Sequence, residues 1–316
     1  MILDRLKNQF FYLKNKQNII IYDCFLFFNE NDLLEIRINE LKDVVDYFVI
    51  FESNSTFTKK NKGFLLDEKR FEKFKTKIIY IKNQDWIRSP NPWSFETYQR
   101  NKIADGIIGA QNTDMIILSD LDEIPRKQAL IEAFCQIYKN NSKYVRLELS
   151  NFRYALNNIS ANNTKSTSVI ITKKENTISM QELRTKQKAD ITILNAGWHY
   201  SFVSSIENII FKIDSYSHQE YNKWPNNNIE SMKKRIYNGQ SNFGHEEDTY
   251  NRIKLNKNNC PKYVLKNKDK YARLMFTNEQ SNIWSKIMSL YNTKICSFKK
   301  YTMGIRDKSS KKINTI

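Results

Sequence analysis

The sequence predicts an α/β fold with a mostly parallel, doubly wound central sheet. Short runs rich in β-branched and aromatic residues alternate with segments of helical periodicity between residues 19 and 150. The connecting segments have about ten residues or more, which is long enough for right-handed helical crossovers between parallel strands. The chain has 316 residues, 40% of them hydrophobic, so we expect one main domain with a sizeable core.

The first strand is predicted at residues 19–28 because IIIYDCFLFF is rich in β-branched and aromatic side chains. A helix is predicted at residues 31–44, where leucine and isoleucine recur at helical spacing. Asp32 and Glu35 have the spacing of a capping box at the start of this helix. The apolar run at residues 44–51 predicts the second strand.

The same alternation continues to residue 150 and then becomes less regular. A helix is predicted to begin just beyond Pro125. The further predicted strands are 77–81, 115–119 and 144–150, and the further predicted helices are 93–110 and 126–138, with a short helix or turn at 71–77. Beyond residue 150 we expect a long Asn-rich loop, followed by short strands at 168–172 and 191–198.

The chain is strongly basic, with 51 Lys and Arg residues against 34 Asp and Glu residues and a net charge of +17. This charge suits polyanions, anionic membranes and phosphorylated substrates. Because the lysines are scattered along the chain, the charge selects none of these partners and is also what a solvated basic surface would show. The four cysteines are far apart and no run of eighteen apolar residues occurs, so we expect a soluble, cytoplasmic chain with reduced thiols.

Three acids follow the strand predicted at residues 115–119, namely Asp120, Asp122 and Glu123. Ligands of parallel sheets bind outside the carboxyl ends of the strands. Two carboxylates at positions i and i+2 can turn toward one ion, and their oxygens suit Mg²⁺ or Mn²⁺, which would hold a diphosphate. The alternative is that one of the two aspartates caps the following helix.

Other polar residues are predicted at the same edge of the sheet. Glu52 and Asn54 follow the second strand, where a carboxylate and an amide could bind a base or a ribose, or could satisfy their own turn. Arg100 could pair with a phosphate or with Asp120. The predicted cofactor-binding residues are Phe28, Asn29, Glu52, Asn54, Gln99, Arg100 and Asp120.

Several blocks of the sequence together resemble glycosyltransferase family 17, which includes the bisecting N-acetylglucosaminyltransferases that act on N-glycans. The blocks are IYDCFLFFNENDLLEIRINELKDVVDYFVIFES, QRNKIADGI, ILSDLDEIPR, AGWHYSF and KIDSYSHQEYN, and the resemblance runs from about residue 19 to about residue 270. It implies a GT-A fold, a UDP-sugar donor, a divalent metal, inversion at the sugar carbon and a glycan hydroxyl as acceptor. Asp120 and Asp122 match the metal-binding acids of the family.

The resemblance also implies a division of the chain. We expect a basic amino-terminal extension at residues 1–18 and a nucleotide-sugar-binding half at residues 19–150. Residues 151–275 would form the acceptor and catalytic half of the same domain. Residues 276–316 would form a C-terminal helix and a basic tail. The donor sugar is expected to be GlcNAc, as in the characterised members of the family.

The general base is predicted among acids of the second half. Glu207 stands at a predicted helix start after GWHYSFVSSI, and Glu220 follows His218 in SHQE. Either acid could instead be a solvated surface residue. His199 could bind the metal or a phosphate, or could be a packed neighbour of Trp198 and Tyr200. These two aromatic residues, with Trp224, could stack on sugar rings or belong to the core.

Two other functions compete with glycosyl transfer. Paired acids and a basic surface also suit a metal-dependent phosphotransferase or nuclease, for which residues 245–248 (HEED) are the alternative centre. Charge alone would suit a nucleic-acid-binding protein, but no recognised binding motif is present and no nucleic acid is expected. The basic chain ends predict a peripheral contact with an anionic membrane at its inner face.

Overall fold

The computed structural model describes residues 2–241 and 249–277. Its helices and strands belong to one compact unit, Met1–Met275. The predicted C-terminal helix and basic tail lie outside the described residues, except for residues 276 and 277. The α-helices are α1 (Ile2–Lys16), α2 (Asn31–Leu41), α3 (Glu68–Phe71), α4 (Pro92–Lys102), α5 (Lys127–Tyr138), α6 (Met180–Thr185), α7 (Ile206–Ser215), α8 (Ile229–Tyr237) and α9 (Lys262–Lys266).

The strands form one twisted sheet, and short 3₁₀ turns complete the fold. The strands are β1 (Ile21–Leu26), β2 (Tyr47–Ser53), β3 (Ile78–Asn83), β4 (Met115–Leu118), β5 (Glu123–Pro125), β6 (Tyr144–Arg153), β7 (Asn158–Ser160), β8 (Lys165–Lys173), β9 (Ile191–Ser201) and β10 (Tyr250–Arg252). The 3₁₀ turns are Glu72–Lys77, Ile103–Ile107, Lys174–Asn176, Gln219–Tyr221 and Ala272–Leu274.

The order of the strands confirms the predicted α/β fold with a Rossmann-like central sheet. Strands β3, β2, β1 and β4 are neighbours in that order and run parallel. Strand β8 then pairs antiparallel with both β4 and β6, so in the sheet it lies between two strands that precede it in the sequence. Strand β9 runs parallel to β6 and antiparallel to β5. The half of the chain after residue 150 therefore contributes antiparallel pairs.

The parallel strands are buried on both faces of the sheet, which explains why their sequences are near-continuous apolar runs. One apolar cluster packs α1, α2 and α5 against one face of the sheet, and a second contains side chains of β1, β2, β4 and α6 on the other face. In α1, Phe10 is fully buried and packs edge-on against Phe134 of α5, with 4.8 Å between ring centroids. Phe11, the next residue, is 44% exposed.

The predicted capping box of α2 does not form. The N-cap residue is Glu30, and it makes no side-chain cap. Its carboxylate instead accepts hydrogen bonds from the backbone N–H groups of Phe28 and Asn29. Asp32 and Glu35 both pair with Arg70, so partners distant in sequence replaced the local bonds that their spacing predicted.

Candidate active site

The acids after β4 form a tight turn at the carboxyl edge of the parallel strands, which we call the acid turn (residues 119–123). The side chains of Asp120 and Asp122 are 40% and 10% exposed, whereas the intervening Leu121 is buried. Glu123 is also buried, and its carboxylate accepts the backbone N–H of Asp120 at 2.9 Å. Helix α5 has Arg126 as its N-cap residue and no side-chain cap, so neither aspartate serves as the helix cap that we considered.

A buried arginine binds the backbone of the acid turn on the side that faces the interior of the protein. Arg37 of α2 and Asp23 of β1 are fully buried and form a two-bonded ion pair of 2.6 and 2.8 Å. The same guanidinium donates to the Ser119 hydroxyl at 2.6 Å. It also donates to three carbonyl oxygens of the turn, those of Asp120 (2.9 Å), Leu121 (3.1 Å) and Glu123 (2.9 Å).

Sequence reasoning missed the role of Arg37, although two signals were present. Asp23 is a lone acid inside the apolar run of the first strand, and Arg37 lies among buried residues of α2. A charge inside an apolar segment needs a partner of opposite sign, because an isolated buried charge is too costly. The sequence could have suggested the pair, but not the three carbonyl groups that it also satisfies.

The other side of the acid turn opens on a cleft of about 390 Å³. Six of the predicted site residues line it together: Phe28, Gln99, Arg100, Asp120, Asp122 and His199. His199 reaches the cleft because β9 pairs with β5, which places His199 directly opposite Glu123. Its ring Nε2 lies 3.8 Å from the Asp122 carboxylate. The pairing of β5 with β9 thus joins two motifs that are about seventy-five residues apart in the chain.

Cations surround the two aspartates in the cleft. Asp120 pairs with Arg184 at 2.7 Å and with Arg100 at 3.4 Å. Burial works against its charged form, but these two guanidinium groups lower the pKa of Asp120 well below its ordinary value. Asp122 lies 3.4 Å from the Lys212 ammonium, yet burial raises the pKa of Asp122. The charge of Asp122 is therefore the less well compensated of the two.

Lys212 of α7 bridges two acids and ties the second half of the chain to the sheet edge. Besides Asp122, it pairs with Glu30 at 2.9 Å. Burial opposes the charge of Glu30, but Lys212 and the backbone N–H groups of Phe28 and Asn29 together lower the pKa of Glu30. Neither Lys212 nor Arg184 was predicted as a site residue. Both lie on short helices, Arg184 on α6 and Lys212 on α7, where the sequence carries no local signal for this contact.

The remaining predicted donor contacts do not line the cleft. Asn29 lies in a small adjoining pocket. Glu52 is fully buried and pairs at 2.6 Å with Lys62, which does line the cleft. The amide oxygen of Asn54 accepts the Ser55 hydroxyl, as expected of a residue that satisfies its own turn. Glu52 and Asn54 therefore support the wall of the cleft from behind.

The predicted catalytic acids are not brought together with Asp120 and Asp122. Glu207 is exposed at the start of α7 and is not among the cleft residues. Glu220 is also exposed, but its carboxylate binds the ring Nδ1 of His218 at 2.5 Å, and His218 lines the cleft. The alternative acidic centre at residues 245–248 lies outside the described residues.

The aromatic residues of the cleft differ from the predicted ones. Trp198 and Tyr200 are buried in the core, and Trp224 is 76% exposed and not among the cleft residues. The aromatic side chains that do line the cleft are those of Phe27, Phe28, Phe57, Trp93, Phe202 and Tyr216, together with the His218 ring. Strand alternation explains the difference, because β9 turns His199 toward the cleft and its neighbours Trp198 and Tyr200 to the opposite face.

The acid turn fits a hard divalent cation that is shared with a phosphate ligand. Asp120 and Asp122 present carboxylate oxygens to one cleft, with the His199 ring beside them. Within residues 2–241 and 249–277, no group of three or more His, Cys, Asp or Glu residues has the geometry of a complete metal site. Two carboxylates without a third protein ligand suit Mg²⁺ or Mn²⁺, which usually keep several positions for substrate phosphates and water.

The Asp-x-Asp turn lies at the carboxyl edge of a Rossmann-like sheet and opens on a cleft rich in cations, an arrangement that suits an enzyme acting on a phosphate-bearing substrate. The sequence identifies the family. The chain belongs to glycosyltransferase family 17, whose sequence model matches residues 9–280. The predicted resemblance to this family is confirmed.

Two curated relatives illustrate the match. The chain is 23% identical over 292 residues to beta-1,4-mannosyl-glycoprotein 4-beta-N-acetylglucosaminyltransferase of Rattus norvegicus, with 78% of this chain and 53% of the relative covered. It is 24% identical over 285 residues to the Homo sapiens enzyme of the same name, with the same shares covered. The chain therefore spans about half the length of the curated relatives that it matches.

Solved structures show a more distant likeness. Residues 1–349 of S. aureus TarS are 13% identical, with a TM-score of 0.33, and 62% of this chain and 65% of that chain are covered. M. tuberculosis glucosyl-3-phosphoglycerate synthase in complex with Mn²⁺, UDP and phosphoglyceric acid is 12% identical, with a TM-score of 0.35 and coverages of 79% and 92%.

None of the helices in residues 2–241 and 249–277 combines the length and the hydrophobicity of a membrane-spanning segment.

Proposed function

We propose that the chain transfers a sugar from a UDP-sugar donor to a glycan hydroxyl by a metal-dependent reaction that inverts the configuration of the sugar carbon. The observation that carries the proposal is the exposure of Asp120 and Asp122 to one cleft that also contains Arg100 and Lys212. GlcNAc is the proposed sugar, because the curated relatives are named as N-acetylglucosaminyltransferases.

The diphosphate of the donor would lie between the acid turn and the surrounding cations. Asp120 and Asp122 would hold the divalent ion, which when bound neutralises the leaving diphosphate as a Lewis acid. Lys212 and Arg100 already line this part of the cleft, and their present partners are carboxylates. Their charges would stabilise the negative charge that develops on the departing phosphate oxygens.

The base of the donor would lie near the carboxyl end of β1. Phe28 lines the cleft and stacks on Phe211 of α7, with 5.1 Å between ring centroids. The Lys62 ammonium lies 5.5 Å from the centroid of the Phe28 ring and is held by the buried Glu52. A flat aromatic face beside a fixed cation suits a uracil ring that carries a diphosphate.

The general base is proposed to be His218, with Glu220 as its orienting partner. The 2.5 Å bond from the Glu220 carboxylate to the ring Nδ1 of His218 leaves the other ring nitrogen, Nε2, to accept a proton. His218 lines the cleft together with the acid turn and packs edge-on against Trp93 at 4.4 Å between ring centroids. This proposal keeps the predicted Glu220 in the reaction as a positioning residue, whereas the proposal of Glu207 as the base has no cleft contact to support it.

The acid turn is tested with Asp122→Ala. We expect hydrolysis of UDP-GlcNAc in the presence of Mn²⁺ to fall by about 100-fold or more, since the ion would lose a carboxylate ligand. The matched control is Asp105→Ala, which removes a surface acid paired with Lys102 outside the cleft. Unchanged metal-dependent hydrolysis by Asp122→Ala would remove the acid turn from the proposed mechanism.

The base is tested with His218→Gln and Glu220→Gln. We expect His218→Gln to lower kcat for transfer by about 10² to 10⁴, the usual contribution of a positioned base, while UDP binding stays the same. Glu220→Gln should lower kcat less, because it changes only the orientation of the ring. Glu207→Gln is the comparison variant, and a larger loss in Glu207→Gln than in His218→Gln would reverse the assignment.

A further inference from the structure

A second cavity of about 470 Å³ lies on the opposite side of β9 from the active cleft. Trp198 lines this cavity, whereas its neighbour His199 lines the cleft, because successive side chains of a strand point to opposite faces. The other walls come from α1, the C-terminal end of α2, the start of α5 and residues 257–266. No residue lines both spaces, so the cavity is separate from the proposed donor site.

The lining of this cavity is strongly cationic. Among the described residues that line it, seven are Lys or Arg and two, Glu40 and Asp43, are acids. Asp43 is already paired with Lys127 at 2.7 Å. Burial raises the pKa of Glu40, which weakens its charge as a counterion. The cavity therefore has an excess of positive charge that the described part of the chain does not neutralise.

Arg126 is one of two partly buried cations of this cavity, whereas the other five are exposed. Its guanidinium lies 4.3 Å from the centroid of the Trp198 ring. It donates to the carbonyl oxygens of Asn195 at 3.0 Å and Asn258 at 2.6 Å, and no carboxylate of the described residues pairs with it. Burial lowers the pKa of Arg126. A guanidinium held on an aromatic ring and bonded only to neutral acceptors retains its full charge for a ligand.

Backbone N–H donors adjoin the same cations. Helix α5 begins at Lys127 with no side-chain cap and no acid in its first turn, and both Lys127 and Gln128 line the cavity. Their backbone N–H groups have no acceptor among the described residues. The uncapped start of α5 and the excess of cations around it favour an oxyanion as the ligand of the cavity.

We propose that this cavity binds a phosphate group, through Arg126, the start of α5 and the lysines of α9. The phosphate belongs either to the headgroup of an anionic lipid or to a soluble ligand. Lys7 of α1 lines the cavity, and Phe11, one helical turn further along, is 44% exposed. A lipid headgroup in the cavity would therefore bring an exposed aromatic side chain of α1 to the membrane interface.

The binding of inorganic phosphate to the full chain, measured by titration calorimetry, tests the site. The cavity variant is Lys262→Gln with Lys266→Gln, since both lysines are exposed on α9 and have no ion-pair partner among the described residues. The surface control, Lys223→Gln with Lys234→Gln, removes the same charge from exposed positions elsewhere. The cleft control is Lys212→Gln, which tells cavity binding from binding at the donor site.

We expect the cavity variant to weaken phosphate binding at least tenfold and the surface control to change it less than twofold. A wild-type chain that shows no saturable phosphate binding would overturn the proposal. So would an equal loss in the surface control, which would show only diffuse attraction to a basic protein. A loss confined to Lys212→Gln would place the phosphate in the active cleft and would also overturn it.

Flotation with vesicles tells the two sources of phosphate apart. Wild-type chain is mixed with phosphatidylglycerol vesicles or with phosphatidylcholine vesicles, with and without free phosphate. Binding only to the former, lost in the cavity variant and reversed by free phosphate, identifies a lipid headgroup. Calorimetric binding without flotation identifies a soluble phosphate ligand. Flotation that is the same for the cavity variant and the surface control would overturn the proposal for lipid.

Discussion

The charge pairs on the two sides of the acid turn differ in how far water can reach them. Below the turn, the Arg37–Asp23 pair is fully buried, and the same guanidinium fixes backbone carbonyls. On the cleft side, Asp120 and Asp122 pair through side chains that are partly exposed to water. The buried Arg37–Asp23 pair has no access for a ligand, whereas the cleft-side pairs of Asp120 and Asp122 are partly open to solvent.

The buried pair constrains the backbone of the acid turn, whereas the partly exposed pairs hold the side chains that face the cleft. A buried charge that loses its partner is strongly destabilising, so the lower side constrains the backbone of the turn whether or not a ligand is present. Partly exposed pairs contribute little to stability, because water screens them and can replace either partner. We therefore expect the pairs of Asp120 and Asp122 to break at a smaller cost in stability than the buried pair.

The largest expected effect is that of Arg37→Met. It should lower the free energy of unfolding by about 3–5 kcal/mol, because it leaves Asp23 as an unpaired buried charge. Urea unfolding followed by circular dichroism measures the change. Arg273→Met is the matched control, since Arg273 pairs with Asp32 at the surface and should cost less than about 1 kcal/mol. Equal losses of unfolding free energy in the two variants would show that the buried and the exposed pair contribute equally to stability.

The ion pairs of Glu35, which lies on α2 like Arg37, are intermediate between the fully buried pair and the surface pair. Burial opposes the charge of Glu35, but Lys270 and Arg70 lower its pKa to about 2 from an ordinary value of 4.5. A lowered pKa stabilises the fold above pH 4.5, and this stability is lost as the pH falls from 4.5 toward 2.

We expect Glu35→Gln to cost about 1–2 kcal/mol of unfolding free energy at pH 6, a value reduced for water around the exposed Lys270 ammonium. The cost should shrink toward pH 2.5. Urea unfolding of both proteins across this range gives the comparison. A difference between wild type and variant that does not depend on pH would show that packing, rather than the charge of Glu35, is what the substitution removes.

Lys212→Gln tests the ion pairs on the cleft side of the acid turn. Lys212 is 26% exposed but its partners Glu30 and Asp122 are only 12% and 10% exposed, so its loss should lower the unfolding free energy by about 1–2 kcal/mol, less than that of Arg37→Met. The affinity for UDP with Mn²⁺ should fall about tenfold, which corresponds to about 1.4 kcal/mol. Thermal unfolding and calorimetry measure the two quantities. A stability loss as large as that of Arg37→Met would show that Lys212 holds the structure and is not exchangeable.

The smallest expected effect on stability is that of Asp122→Asn. Burial raises the pKa of Asp122, so the folded state disfavours its charge at neutral pH and favours the protonated form as the pH falls. Removing the charge at pH 7 with a chelator present should change the unfolding free energy by only about 0–1 kcal/mol, toward greater stability. Destabilisation by more than about 1 kcal/mol would mean that the pair with Lys212 is structural.

The acid turn could be predicted from local sequence because its signal is local. Four apolar strand residues followed by Asp120 and Asp122 place the acids at the edge of the sheet, whatever the rest of the chain does. The residues whose role the sequence left open or did not indicate depended on distant partners. Trp198 and Tyr200 lie in the core because the pairing of β5 with β9 decides which face of β9 meets the cleft. Asp32 and Glu35 bind Arg70, which their spacing could not indicate.

The sequence by itself determined the parallel strands, the position of the acids between β4 and α5, and membership of glycosyltransferase family 17. These properties follow from periodicity and from short motifs, which a chain carries before it folds. Only the tertiary structure decided that Arg37 supports the acid turn, that Lys212 and Arg184 reach its side chains, and that His218 shares the cleft. Contacts between residues far apart in the chain depend on strand order and register, which no local pattern encodes.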